Sequence, residues 1–171
     1  MEIIYQIIGF IGFGFLLYSL WSVNREKLLK YRIVGNLIIG VHYLLLGAVM
    51  GFAVNMITAT RGVVYSNKHR KMFSSAIWVV AFVAVYIAIG IYNQTGIVSF
   101  LPVISAVVVS IALWNNNLKL IRISLALESL CWLTFAISVG SWSGISVEAI
   151  LLVSAVAALI KLDILKKTKA K

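Results

Sequence analysis

Seven apolar stretches run through this chain, each near the length a bilayer demands, with only short polar links between them. A helix crossing the hydrocarbon needs about 20 apolar residues. The first covers 3–23 and the second 33–49; a turn at Met50 and Gly51 leads to a third that ends near Ser66. The other four cover 73–92, 98–114, 120–138 and 145–162. A soluble domain must face water on its outside and has no use for a composition that is 62% hydrophobic over 171 residues. A membrane barrel would show short alternating strands instead. The class that remains is an all-α, polytopic membrane protein. Cys131 is the single cysteine and lies in an apolar run, which excludes an intrachain disulfide. No basic segment precedes the first stretch, so no cleaved signal peptide is expected.

The net charge of +10 suggests nucleic acid until its distribution is examined. Arg25, Lys27, Lys30 and Arg32 flank the first link, and Lys68, Arg70 and Lys71 the third. Lys119 and Arg122 flank the fifth, and Lys161, Lys166, Lys167, Lys169 and Lys171 lie at the C-terminal end. The second, fourth and sixth links hold no Lys or Arg. Basic residues are retained on the cytoplasmic side, so the pattern predicts an outside N-terminus and an inside C-terminus. Nucleic acid is not a partner on this view. The basic tail suits an anionic membrane surface.

The chain also repeats itself. The run 17–24, LYSLWSVN, echoes 110–117, SIALWNNN, aligning Trp21 with Trp114. Arg32 then aligns with Arg122, His42 with Trp132 and Asn55 with Glu148. Three helices (1–67), a linker helix (68–95) and three more helices with the tail (96–171) give a 3+1+3 single membrane domain. The linker lets both halves insert in one orientation as parallel repeats. Transporters so built bind substrate near the bilayer midplane where the repeats meet.

The segments GVHYLLLGA (40–48), TATR (58–61), LPVISAVVVSIALW (101–114) and CWLTFAISVGSWSGISVEA (131–149) resemble the bacterial inner-membrane YgjV-type proteins, over nearly the whole chain. That resemblance implies an inner-membrane location and names no activity. More remotely, the 3+1+3 layout is similar to SWEET sugar transporters and other PQ-loop or KDEL-receptor-like proteins. No Pro-Gln pair exists here; Pro102 is the only proline, and Gly9 stands opposite it in the first half. The resemblance implies hinges at Gly9 and Pro102. It also implies a ligand-facing Trp at Trp132, as SWEET-type proteins use a Trp and an Asn from each repeat.

Ionisable residues inside a membrane are costly to hold and are default candidates for function. His42 is near mid-span, as a structural imidazole or a substrate or proton site. Trp132 is outside the usual interfacial belt. Sixteen residues separate Trp132 from Glu148 and sixteen separate His42 from Thr58, so Thr58 joins Asn55 as a polar partner in the first half. The candidate substrate set is His42, Asn55, Thr58, Trp132 and Glu148. Glu148 read structurally is a first-turn acid complementing a helix N-terminus. Glu128 and Arg61 are expected to form a structural or gating ion pair, since each alone would be a buried charge. Arg61 reaching back to the cytoplasmic face is the alternative. With no aspartate expected inside a span, uniport is favoured over strong ion coupling.

The string Gly9, Gly12, Gly14 lies within a span with no strand before it, so it reads as close helix packing rather than a dinucleotide loop. No H-E-x-x-H motif, acidic pair, Ser–His–Asp set or phosphate loop is present, and an enzyme is not expected. Two histidines and one cysteine on separate elements give no metal site and no cofactor. The expected partners are the lipid bilayer and a small polar solute, with sugars among the candidates and a homo-oligomer left open. The alternative is a non-transporting receptor or assembly protein whose intramembrane polar residues are structural. A reporter pair tests the orientation: fused at the C-terminus, green fluorescent protein should shine and alkaline phosphatase should stay inactive. The reverse pattern would overturn it.

Overall fold

Asparagine side chains start two of the helices. In the computed structural model, which describes residues 2–45, 49–92, 97–138 and 142–164, Asn24 Oδ1 accepts the Glu26 N–H at 2.8 Å and its carbonyl accepts that of Leu28 at 3.0 Å. Asn117 does the same for Lys119 at 3.0 Å and Ile121 at 3.0 Å. These are N-caps, satisfying amides that have no partner inside the helix. Among the described residues there are seven α-helices and no strand. They are α1 (Glu2–Leu20), α2 (Arg25–Leu45), α3 (Val49–Ser66), α4 (Ile77–Tyr92), α5 (Leu101–Trp114), α6 (Leu118–Ser138) and α7 (Trp142–Ala158). Short 3₁₀ turns occupy Lys71–Phe73 and Ile97–Phe100, and α7 continues as a π turn over Leu159–Ile164.

The capping by Asn24 moves one boundary by two turns. The segment expected to link the first two spans is already helical from Arg25, and Leu28 and Leu29 within it are fully buried. Met50 and Gly51 are not the reversal between helices; they lie in the first turn of α3. Gly47 lies outside the described residues. Trp142 to Gly144, expected in a turn, open α7 instead. Pro102 sits in the first turn of α5, where its missing N–H removes no internal bond.

Among the described residues two helices, Arg25–Leu45 and Ile145–Asp163, are long and apolar enough to cross a bilayer. Ile77–Tyr92 and Leu101–Trp114 are apolar but shorter than the full spans expected of all seven. The 14 residues of α5 rise about 21 Å against roughly 30 Å of hydrocarbon. Its 3₁₀ lead-in adds part of the difference. In α3 and α6 the lower apolarity has a different cause: Arg61 in one, and Lys119, Arg122 and Glu128 in the other.

The chain divides into two compact units, Met1–Ser75 and Ala76–Lys171. In the first, α1 and α3 both pack on α2. Gly35, Ile39 and His42 of α2 meet Gly12, Leu16 and Gly9 of α1, whereas Ile33 and Gly40 meet Gly62 and Met56 of α3. At about 100° per residue, these two sets lie on opposite faces of α2. The α1–α2 crossing is tightest at Gly12, where a Cβ would come within 2.6 Å of Ile39 Cγ1 and 3.1 Å of the Gly35 carbonyl oxygen. The edge-on pair Tyr18–Tyr31, with ring centres 4.5 Å apart, closes the other end of the same seam. In the second unit α5 and α7 pack on α6, and α4 packs on α5 with Gly90 against Val103. Val109, Leu113, Ile121, Leu125 and Ala155 are its buried apolar centre.

Gly12→Ala should therefore destabilise the protein by about 1–3 kcal/mol through overpacking. Gly14→Ala is the contrast, because a Cβ there meets nothing within 4 Å. Lacking that clash, it should gain about 0.5–1 kcal/mol from the helix-favouring substitution. Thermal unfolding in detergent measures both.

Candidate functional site

The imidazole of His42 is held from two sides. Gly9 of α1 gives it room: a Cβ there would stand 3.1 Å from the ring's Cε1 and Nδ1. Tyr5, one turn earlier in α1, places its main-chain carbonyl oxygen 2.7 Å from Nδ1. A carbonyl only accepts, so Nδ1 carries a proton and donates it to this bond. The ring is 8% exposed. Gly9, the expected hinge of α1, lies directly against this ring.

Asn55 and Thr58 are half-buried on α3. The Asn55 Cβ lies 3.4 Å from where a Gly40 Cβ would be, so it abuts the face of α2 opposite His42. The first unit therefore does not bring His42 and Asn55 to one point. Thr58 donates its hydroxyl to the Val54 carbonyl of its own helix at 2.9 Å. In the second unit Trp132 on α6 and Glu148 on α7 are both half-buried, as is Glu128. Arg61 belongs to the first unit and Glu128 to the second. Arg61 is 1% exposed.

One charged residue was overlooked in the expectation that no aspartate lies within a span. Asp163, the chain's single aspartate, accepts a hydrogen bond from Arg122 Nη1 through Oδ2 at 2.6 Å. The Arg122 side chain is 1% exposed and that of Asp163 13%. The π turn makes the pair: bonds that span five residues instead of four widen the helix end and change which residues face α6. The signal in the sequence was an acid set between Leu162 and Ile164 in an otherwise basic end.

Between α4 and α5 an apolar groove is lined by Ile87, Ile91, Val103, Ile104 and Val107. None of the expected substrate residues lines it, and it offers a polar solute no hydrogen bond. Among the described residues, no group of three or more His, Cys, Asp or Glu is placed to hold a metal ion.

Removing one partner of a buried ion pair leaves the other charge uncompensated. Asp163→Asn should lower stability by on the order of 3 kcal/mol, and Arg122→Gln should add little on top of it. A double-mutant cycle by thermal unfolding measures this; additive losses would show the two residues uncoupled.

The Imp-YgjV family model, described as bacterial inner membrane protein, matches residues 3–166. No curated protein and no solved structure matches the chain.

Proposed function

The chain belongs to the Imp-YgjV family of bacterial inner membrane proteins, and from that premise we propose that it is a SWEET-like facilitator moving a small polar solute by alternating access. A sugar or a related metabolite is the solute class. The observation that carries this is His42. A nearly enclosed imidazole, fixed in one tautomer by the Tyr5 carbonyl, is a specific arrangement to maintain inside a lipid-facing helix pair. It ties α1 to α2 through a polar bond, which a rocking helix must keep or break. Gly9 beneath the ring and Pro102 at the start of α5 are the points about which α1 and α5 move.

Asn55, Thr58, Trp132 and Glu148 are the solute contacts on this proposal, with His42 acting from the α1–α2 seam. An amide, a hydroxyl, an indole face and a carboxylate are the few placed polar groups, with one flat apolar surface, that orient a polyol. The 3+1+3 repeat, with its N-terminus outside, is part of the same proposal; the matched caps at Asn24 and Asn117 support it.

A second reading has its own observation. The hydroxyls of Ser19, Thr58, Ser105, Ser110, Ser124 and Thr134 all donate to carbonyls of their own helices. Polar residues serve that way when they are structural, as in a membrane receptor or assembly protein that transports nothing.

A thermal-stability screen of the purified protein against sugars, sugar acids, amino acids and nucleosides separates the two. A ligand at 100 times its dissociation constant adds about 2.7 kcal/mol to the folded state. A hit should vanish in Trp132→Ala and Glu148→Gln. No hit at all, with His42→Cys, Thr58→Cys and Trp132→Cys protected from an aqueous thiol reagent in a Cys131→Ser background, selects the second reading.

A further inference from the structure

The last helix packs in ordinary phase until its final turns. Leu151, Ala155 and Ala158 are buried at helical spacing and form one stripe along α7. Within its unit α7 packs on α6, and the stripe marks the side that meets it. Continued four residues on, the stripe arrives at Leu162. In that phase Asp163 stands one residue past the line, about 100° further round the axis. Its carboxylate would turn from α6 and lose Arg122.

The helix does not keep that phase. Over Leu159–Ile164 it is a π turn, and Asp163 Oδ2 meets Arg122 Nη1 at 2.6 Å. The local sequence does not call for the change. Leu159–Ile164 reads LIKLDI, with no proline and no Gly/Ser pair, the usual local causes of a helix irregularity. Isolated π turns within α-helices are rare, so such a segment takes the α phase unless a tertiary contact outweighs it. The contact that exists only in the π phase is a short, charge-assisted bond to a guanidinium 1% exposed.

We propose that the end of α7 is a two-register latch. The Arg122–Asp163 bond holds the π register, and loss of the Asp163 charge returns Leu159–Ile164 to the α register. The two registers present different side chains to α6. In the π register Asp163 faces it and Lys161 is exposed. In the α register Asp163 turns away, and Lys161 follows Ala158 at the spacing that shares a face, swinging toward α6. A packed helix end with two discrete arrangements, selected by one bond, is the kind of element through which a local event is passed on. The latch is independent of whether the chain transports a solute.

The test places nitroxide labels at Lys119→Cys in α6 and Lys161→Cys in the π turn, both exposed positions. The full chain carries Cys131→Ser, and electron paramagnetic resonance in detergent reads the distance between the labels. Asp163→Asn should move the distance maximum by about 5 Å, the displacement that a part-turn rotation gives at the outer radius of a helix. Asp163→Glu, which keeps the charge, should leave it in place. If Asp163→Asn does not fold, the double variant Arg122→Met with Asp163→Leu decides, because replacing both charges leaves neither uncompensated. It should show the same shift. An unmoved maximum in the neutral variants overturns the proposal, and so do equal shifts in Asp163→Glu and Asp163→Asn. Broadening without a new maximum also overturns it, because the helix end then frays instead of changing register.

Discussion

Hydrocarbon offers no hydrogen bonds, and most of the polar geometry of this protein follows from that lack. Backbone groups close on themselves in helices. Serine and threonine hydroxyls donate to the carbonyl three or four residues back. The imidazole of His42 uses a carbonyl of α1, and the guanidinium of Arg122 uses Asp163. Each group that has no such local partner must be drawn from another element, and these long-range bonds decide which helix faces meet. His42 reaches across 37 residues and Arg122 across 41. They do more to specify the bundles than the apolar side chains, which gain little by leaving one another for lipid.

Helix α2 shows how two attachments of different character share one element. Toward α1 it presents Gly35 and His42, where backbones approach closely and a polar bond fixes rotation. Toward α3 it presents Ile33 and Gly40, each fitting a small residue against a large one: Ile33 on Gly62, and Met56 on Gly40. Knob-and-hollow contacts tolerate sliding better than a directional hydrogen bond does. The two neighbours of α2 are thus held by different means, and a motion of one need not disturb the other.

Much of this was legible in the sequence. The seven helices and the intramembrane His42 and Arg61 are visible as apolar runs and their exceptions. Facing was not. Period alone does not say that Asn55 meets Gly40 while His42 looks to α1, because apolar residues cover nearly the whole surface of these helices. Gly9 and Gly12 were readable as packing glycines, yet only the fold shows that Gly14 two residues on meets nothing. Asp163 was hidden for a different reason: a π turn breaks the periodicity by which its facing would be judged.

That turn has a consequence for how the chain tolerates change in length. Over Leu159–Ile164 the helix runs out of phase with the seventeen α-helical residues before it. Substitutions there alter one side chain. A one-residue deletion would restore the ordinary phase and carry Asp163 about 100° around the axis, away from Arg122. Length itself is therefore under constraint at the close of the last helix. A family member lacking the extra residue can keep the ion pair only by moving its acid to a different position in the chain.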